Sequence, residues 1–353
     1  MTKSGLFIAR QDSNHPANNS IASANTKYPR AKNRGKICYN DTTTTHRRNT
    51  MALILDDKLV VGISSRALFD LEEENRIFDQ EGLEAYSQHQ LEHENDILKP
   101  GTAFPLIKAL HNLNKEGRYS TEIIIMSKNS ADTSLRIFNS IDHYGLKISR
   151  AALVGGKSIV PYLAAFRTDL FLSANELDVQ EAINANFAAG LICSHSNLPI
   201  DPDKEINQIR IAFDGDAVLF SDEAERIYQQ CGLEAFTEHE QANAKKPLPE
   251  GPFAKLLKTI SIIQNEFPNE PVPIRTALVT ARNAPAHERV IRTLRAWNVR
   301  IDEAFFLGGI QKSEILKAFD ANIFFDDQPT HIGPASQLVP AARVPYRKNN
   351  AIE

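Results

Sequence analysis

The sequence predicts an α/β fold made of two tandem parallel-sheet units. From residue 52 onward, short apolar runs with a period of two alternate with longer stretches of helical periodicity, which is typical of parallel strands joined by helices. The second half of the chain also repeats the first, because residues 67–89 and 217–239 align at an offset of 150 with ten of 23 positions identical. Self-similarity of this length indicates an internal duplication.

A second block of similarity supports the duplication, since residues 127–166 align with 280–319 at an offset of 153. The matched residues are Arg136 with Arg289, Gly155-Gly156 with Gly308-Gly309, and Ala165-Phe166 with Ala318-Phe319. We therefore expect one unit at 52–200 and another at 205–345, joined by a linker at 201–204.

The first unit reads as strands and helices in alternation. The predicted elements are a strand at 59–64, an acidic helical stretch at 70–93, a helix at 103–114, a strand at 121–127, a helix at 131–144, a strand near 151–154, a helix at 158–166 and a strand at 169–172. The second unit follows the same order. Within it, residues 221–255 are expected to form a small cap insert over the site.

Two aromatic residues of this insert, Tyr228 and Phe236, have two interpretations. They would either stack on a base or pack the insert onto the core. Because the first unit has Phe78 and Tyr86 at the same places, packing is the favoured interpretation.

Residues 1–50 differ in composition from the rest of the chain. They include nine Lys or Arg residues and two acidic ones, with few apolar residues. Such a segment cannot bury enough apolar surface to offset the entropy of ordering, so we expect it to be disordered. A targeting peptide and an upstream read-through before Met51 are the two other interpretations.

The overall composition restricts the class of protein. The net charge of −4 argues against a nucleic-acid partner, and no apolar run approaches the ~20 residues that span a bilayer. Cys38, Cys193 and Cys231 share no disulfide or metal-site spacing, which favours a reducing compartment. We predict a cytoplasmic protein without a membrane partner, and the sequence leaves a homo-oligomer open.

The candidate site is centred on residues 208–223, QIRIAFDGDAVLFSDE. Alternating apolar residues predict a strand that ends at Asp214-Gly215-Asp216. A carboxylate can attack phosphorus when a metal ion neutralises the charge. A second carboxylate two positions further on can protonate the leaving oxygen and then activate water. The alternative is a solvated turn between a strand and a helix.

Later stretches carry further polar residues after their own strands or loops. Thr280 ends an apolar run with Arg282 just beyond it, which suits a phosphate-binding loop. Lys312 follows a glycine pair, and Asp326-Asp327 end a third apolar run. This order of Asp-x-Asp, Thr, Lys and Asp-Asp resembles the haloacid dehalogenase-type phosphohydrolases, which implies a Rossmann-like sheet in each unit.

The first unit offers an internal comparison, because it lacks the carboxylates of the second. Ser64 and Arg66 stand opposite Asp214 and Asp216, Ser127 opposite Thr280, and Ser173 and Ala174 opposite Asp326 and Asp327. Their joint absence favours inactivation of one of two equivalent sites. Ser64, Arg66, Ser127 and Lys128 would supply hydroxyls and cations there, so a regulatory nucleotide site is one interpretation. A degenerate scaffold is the other, and it is favoured.

Several longer stretches are similar to the class I cytosolic 5′-nucleotidases. They read FDGDAVLFSDE, VTARNAPAHERVIRTLRAW, FFLGG, IFFDDQ, SSRALFDLEEENRIF and LKPGTAFPLIKAL. The resemblance covers roughly residues 52–345. It implies Mg²⁺-dependent hydrolysis of nucleoside 5′-monophosphates, above all AMP, with IMP and deoxynucleotides as further substrates and ADP as an effector.

The resemblance also implies roles for the motif residues. Asp214 would be the nucleophile and Asp216 the proton donor and base. Mg²⁺ would be held by Asp214, the main-chain carbonyl of Asp216, and Asp326, with Asp327 as a ligand or just behind one. These oxygen ligands suit a hard cation.

Thr280, Arg282 and Lys312 would bind the phosphate. For Lys312 the alternative is a surface lysine, with Lys317 taking its place. Two other functions remain open at this point: a phosphatase of the same type acting on sugar phosphates, and a regulatory protein that binds nucleotides.

Overall fold

The computed structural model describes residues 55, 58–116, 121–193, 198–267 and 272–348. The segment 1–50 and Met51, with their three interpretations, lie outside these described residues. All the elements below belong to the compact unit Ala52–Glu353.

Ten strands form one sheet within the described ranges. They are β1 (Leu59–Ile63), β2 (Thr121–Ser127), β3 (Arg150–Leu153), β4 (Leu170–Ser173), β5 (Ala189–Ile192), β6 (Ile209–Phe213), β7 (Ile274–Thr280), β8 (Glu303–Phe306), β9 (Ile323–Asp326) and β10 (Ala341–Arg343). Their order is 3-2-1-4-5-10-9-6-7-8. Every neighbouring pair is parallel except β5 with β10. The protein is therefore α/β with a large, mostly parallel sheet.

Helices link most of these strands, as parallel pairing requires. Within the same ranges the α-helices are α1 (Ser65–Leu68), α2 (Glu72–Glu92), α3 (Phe104–Asn112), α4 (Leu135–His143), α5 (Val160–Ala165), α6 (Glu176–Asn184), α7 (Glu223–Ala242), α8 (Ala254–Asn265), α9 (His287–Ala296), α10 (Lys312–Phe319) and α11 (Pro329–Ser336). Among these helices of the described chain, none has the length and apolar content for a membrane crossing.

The inner strands are buried because both of their faces are covered. All seven positions of β2 are buried, for example. One cluster of buried apolar side chains includes residues from both halves of the chain, among them Ile63, Phe104, Phe171, Phe213 and Phe325. The two halves therefore share a core as well as a sheet.

The two halves also pair their strands in the same register. The comparable pairs are Leu59 with Thr121 and Ile209 with Ile274, Val61 with Leu170 and Ile211 with Ile323, and Ile124 with Arg150 and Ala277 with Glu303. The second half thus repeats the pairing of the first. Strand β6 corresponds to β1 at an offset of 150 residues, and β7, β8 and β9 correspond to β2, β3 and β4 at an offset of 153. The same offsets align the two halves of the sequence.

The two units predicted in tandem form one continuous sheet. Their junction is the antiparallel pair of β5 and β10, in which Leu191 lies opposite Arg343 and Ile192 opposite Ala342. Strand β10 also pairs in parallel with β9. The last strand of the second half therefore closes the gap between the halves.

The segment 221–255, expected as a cap insert of the second unit, includes helix α7, and α2 is its counterpart in the first half. Both α2 and α7 are long helices bent at one glycine, with φ of 87° at Gly82 and 81° at Gly232. Glycine adopts such φ values at little cost because it has no Cβ. A bent helix is therefore common to both halves, and in the second half it is Glu223–Ala242.

Candidate active site

The polar residues identified in the second unit meet at one edge of the sheet. Strands β9, β6 and β7 are neighbours and run parallel, so their carboxyl ends lie side by side. Asp214 follows β6, Thr280 ends β7, and Asp326 ends β9. Ligands of open α/β sheets commonly bind at this edge.

Asp214 begins a tight loop that is anchored to the neighbouring strands. Its backbone N–H donates to the carbonyl of Phe325 at 2.8 Å. The next residues, Gly215–Leu219, form a single π turn. A Cβ on Gly215 would lie 3.3 Å from Thr280 Oγ1. The absence of a side chain at this position therefore lets the loop approach β7 closely.

Lys312, the first residue of α10, lies between two of the carboxylates. Its Nζ is 2.7 Å from Asp214 Oδ1 and 2.6 Å from Asp326 Oδ2, and the residue is only 3% exposed. Burial alone would lower the pKa of Lys312, but the two carboxylates raise it above its usual value. The alternative lysine, Lys317, is exposed on the same helix.

Three buried carboxylates are close enough together to hold a metal ion. Asp214, Asp326 and Asp327, which we call the acidic cluster, each offer one oxygen, and these atoms lie within 4.8 Å of one another. Carboxylate oxygens are the ligands that hard divalent cations prefer. The donor set therefore fits such a cation. The Asp216 carboxylate is outside this cluster.

Crowding in the acidic cluster shifts its pKa values. Burial, reinforced by the charge of Asp326, raises the pKa of Asp214 to about 7 even though Lys312 opposes the shift. Burial and the two neighbouring aspartates raise the pKa of Asp327 to about 8. Burial also disfavours ionised Asp326, yet the hydrogen bond from His331 and the charge of Lys312 lower its pKa. A cation at this cluster would relieve the repulsion between the carboxylates.

Two residues that sequence reasoning missed support the acidic cluster. His331 Nδ1 lies 3.1 Å from Asp326 Oδ2, and the hydroxyl of Tyr346 donates to Asp327 Oδ2. His331 is five residues after Asp326 on the adjoining helix, which is a local signal. Tyr346 follows β10, and nothing in its sequence surroundings indicates a link to the site.

Arg282, predicted to bind phosphate, has a different set of partners in the structure. Its Nε and Nη2 lie 2.8 and 2.7 Å from the two carboxylate oxygens of Asp216, and its Nη1 donates to Glu240. The residue is only 4% exposed. A guanidinium in this fork geometry fixes the direction of a carboxylate. Arg282 thus holds the Asp216 carboxylate in this structure, and its phosphate contact stays a prediction.

The network continues beyond Arg282 to residues that sequence reasoning also missed. Glu240 is fully buried and accepts a second charged hydrogen bond, at 2.8 Å from Arg289 Nη1. Arg289 was recognised as a repeated residue, but no local pattern pairs it with Glu240. The repeat offered one hint of this pair. Gln90 aligns with Glu240 at the offset of 150, just as Arg136 aligns with Arg289 at the offset of 153.

Thr280 also lies in the site, buried at the end of β7. Its Oγ1 accepts the backbone N–H of Arg282 at 3.2 Å, so its own hydroxyl proton can be donated elsewhere. The structure thus brings together six of the seven predicted site residues of the second half around Asp214, with Arg282 behind Asp216.

Comparison with known proteins gives this arrangement a family. Residues 51–351 match the 5′-nucleotidase family. Cytosolic 5′-nucleotidase 1B of Homo sapiens is 41% identical over 306 residues, which cover 82% of this chain and 49% of the human protein. The chain therefore spans about half the length of that relative. No solved structure matches the chain significantly.

Fold and site together define an α/β protein with a buried carboxylate–lysine site at the carboxyl edge of its sheet. The chain belongs to the 5′-nucleotidase family, since the family match covers most of its length.

Proposed function

We propose that this chain hydrolyses nucleoside 5′-monophosphates, including AMP, IMP and their deoxy forms, to a nucleoside and phosphate. The family match and the name of the human relative support this reaction. The observation that carries the proposal is the position of Lys312, buried between Asp214 and Asp326 at the end of adjacent strands. A positive charge there lies where a nucleophilic carboxylate and a phosphate would meet.

Asp214 is the proposed nucleophile. One of its carboxylate oxygens attacks phosphorus, the bond from phosphorus to the ribose 5′-oxygen breaks, and an aspartyl-phosphate forms. Asp216, in its protonated form, gives its proton to the departing 5′-oxygen and is left as a carboxylate. Water then attacks the phosphorus and passes a proton to Asp216, while the bond between phosphorus and Asp214 breaks to release phosphate.

The surrounding residues are proposed to position and neutralise charge, which supplies most of the catalysis in phosphoryl transfer. The ammonium of Lys312 and the hydroxyl of Thr280 contact the transferring oxygens. Mg²⁺ is the proposed cofactor, bound by the acidic cluster and the main-chain carbonyl of Asp216, and it would supply charge neutralisation at the phosphoryl group. Arg282 holds Asp216 in its orientation.

We further propose that the two halves arose by internal duplication of a haloacid dehalogenase-type unit. The unit at 205–345 is the catalytic one, and the unit at 52–200 has lost the catalytic residues. The matched strand registers at offsets of 150 and 153 support this history. A cytoplasmic location is proposed from the name of the human relative.

Phosphate release from AMP, IMP and ribose 5-phosphate, measured with Mg²⁺ or with EDTA, tests the proposal. We expect AMP and IMP to release phosphate with Mg²⁺ but not with EDTA. Ribose 5-phosphate should release none. Asp214→Asn should abolish release. Asp222→Asn is the matched control, because the Asp222 carboxylate is 40% exposed and pairs with Arg226 at the surface.

The other outcomes would replace the proposal. Release from ribose 5-phosphate alone would assign the chain to sugar phosphates. Binding of AMP without any release would assign it to nucleotide binding. Undiminished release by Asp214→Asn would contradict the covalent mechanism.

A further inference from the structure

The first half of the protein contains a cavity of about 520 Å³. Ser64, Arg66, Ser127 and Lys128 all line it. When the two halves are aligned, these residues of the first half correspond to residues at the acidic cluster, Asp216 and Thr280 in the second half. The residues at the cavity are therefore the first-half counterparts of the proposed active site.

The floor of the cavity offers hydrogen-bond donors. Within the described chain, Arg66 Nε is a buried atom without a hydrogen-bond partner. Ser64 Oγ accepts the backbone N–H groups of Ala67 and Ala174, both at 3.3 Å, so its hydroxyl proton is left to donate. A phosphate oxygen in the cavity can accept this Ser64 proton.

A difference between the halves explains why the cavity is open. Asn129 lies at the position of Arg282 in the repeat. In the second half, the long Arg282 side chain reaches Asp216 and Glu240 and fills this region. The shorter Asn129 lines the cavity instead.

The charges around the cavity leave Arg66 as the cation for a ligand. Asp178 is paired with Lys128 at 2.5 Å, and Glu74 is paired with Arg136 at 2.6 Å. Among the described residues, the hydrogen-bond partners of the Arg66 guanidinium are the Asn75 amide and a half-exposed carboxylate, Glu72, at 3.2 Å. The buried carboxylates of Asp178 and Glu74 are thus each paired with a cation. They would therefore repel an anionic ligand less than unpaired carboxylates would.

The wall of the cavity is apolar and partly open to solvent. Phe78 and Leu83 line it and are 47% and 67% exposed. The ring of Phe78 meets that of Tyr86 edge-on, with centroids 5.9 Å apart. Exposed aromatic surface beside a polar floor suits a ligand with a flat ring at one end and an anionic group at the other.

We propose that this cavity binds a nucleoside phosphate without hydrolysing it. The phosphate contacts Arg66, Asn129 and the serine hydroxyls, and the base packs against Phe78. Hydrolysis is not expected because Ser64 stands in the place of the nucleophile, while Ser173 and Ala174 stand in the places of Asp326 and Asp327. The site is separate from the proposed active site and does not depend on its activity.

Equilibrium dialysis of the full chain, with a methylene phosphonate analogue of AMP and Mg²⁺, tests the proposal. We expect two bound equivalents for the wild type. Arg66→Gln should lose one of them, whereas Lys312→Met should lose the other. Arg76→Gln is the matched control, because Arg76 lies on α2 with an exposed side chain whose polar contacts in the described part of the chain are Glu73 and Gln80. That control should keep both.

The pattern of loss separates this proposal from the proposed function. If the wild type binds one equivalent, and Arg66→Gln loses it while Lys312→Met keeps it, the result would support the cavity site and contradict nucleotide binding at Asp214. One equivalent that Lys312→Met removes and Arg66→Gln spares would overturn the cavity site. Protection of residues 127–130 from hydrogen exchange upon addition of the analogue would place the ligand in the cavity.

Phe78→Ala gives a second test that does not rely on Arg66. Since Phe78 is half-exposed, its truncation should leave the fold intact. Loss of base stacking should weaken analogue binding at this site by about tenfold or more. Unchanged affinity in both Phe78→Ala and Arg66→Gln would overturn the proposal.

Discussion

Arg282 and Asp216 form a bidentate ion pair behind the proposed nucleophile. Nε and Nη2 of Arg282 lie 2.8 and 2.7 Å from the two oxygens of Asp216. Glu240 holds the remaining terminal nitrogen of the guanidinium, and Arg289 in turn holds Glu240. The direction of the Asp216 carboxylate is thus set by a buried chain of charges.

Replacing Arg282 with lysine tests this positioning. Lysine keeps the charge but cannot donate two parallel hydrogen bonds to one carboxylate. Because Asp216 is the proposed proton donor and base, we expect kcat for AMP to fall by about tenfold to a hundredfold. KM should change little, since Arg282 does not face the substrate in this account. Steady-state kinetics with Mg²⁺ would measure both constants.

The control for this prediction is Arg226→Lys, since Arg226 is an exposed residue of α7 that pairs with Asp222. It should behave like the wild type. A large rise in KM with unchanged kcat for Arg282→Lys would instead return Arg282 to the predicted phosphate-binding role.

Lys312→Met should abolish most of the activity. The change removes the only positive charge that contacts both Asp214 and Asp326 within the described chain. Loss of a charged phosphate contact in phosphoryl transfer commonly costs about a hundredfold or more in kcat. Lys317→Met is the matched control from the same helix and should keep full activity. Equal losses in both variants would contradict the site geometry.

The metal-free protein should lose stability as the pH rises. The pKa of Asp214 is raised to about 7 and that of Asp327 to about 8, so the folded state holds protons that the unfolded state releases near pH 4. This contribution is fully present below about pH 4 and is lost as the pH rises through 7 and 8. We therefore expect Tm in EDTA to be lower at about pH 8.5 than at about pH 5.5. The size of the fall should correspond to the loss of about two protons, one from Asp214 and one from Asp327.

Mg²⁺ should counter this loss, because a cation replaces the protons at the acidic cluster. Differential scanning fluorimetry with Mg²⁺ or EDTA at both pH values measures the effect. The Mg²⁺-dependent rise in Tm should be larger at about pH 8.5 than at about pH 5.5, and Asp327→Asn should reduce the difference. A Mg²⁺ effect that is the same at both values would contradict this account of the cluster.

Gly251→Ala should destabilise the loop that follows Asp216. A Cβ on Gly251 would lie 2.3 Å from the carbonyl oxygen of Phe220 and 2.5 Å from that of Val218. Both contacts are with backbone atoms, so the loop itself must move. We expect the free energy of unfolding to fall by about 1–3 kcal/mol and the activity to fall with it.

The first half provides the control for this prediction, because Gly101 has a similar place but a looser one. Its nearest contact for a Cβ is 2.9 Å, to the Phe69 carbonyl carbon. Urea denaturation should therefore show a smaller loss for Gly101→Ala, and the activity should be nearly unchanged. A larger loss for Gly101→Ala would contradict this comparison.

The sequence predicted most of the site because each key residue directly follows its own apolar strand or loop. Asp214, Thr280 and Asp326 could be placed together once the strands were read as parallel, since parallel strands align their carboxyl ends. The repeat strengthened the prediction, because the first half shows which residues are dispensable for folding.

The remaining parts depend on contacts between distant segments. Strands β5 and β10 have only four and three residues, too few for a period to show, so the continuous sheet was not predicted. Tyr346 reaches Asp327 only because β10 lies beside β9. The ion pairs of Arg282 were not predicted because its buried partner Glu240 lies 42 residues away, on a helix expected to be a separate cap.

The central claim is that Asp214 carries the phosphoryl group, and trapping that group tests it most directly. Wild type, Asp214→Asn and the control Asp222→Asn would be mixed with ³²P-labelled AMP and Mg²⁺, quenched in acid within milliseconds, and analysed for protein-bound label. The account predicts acid-stable label in the wild type and the control, and none in Asp214→Asn. Label retained by Asp214→Asn, or turnover of AMP by the wild type with no trapped label at any time point, would contradict it.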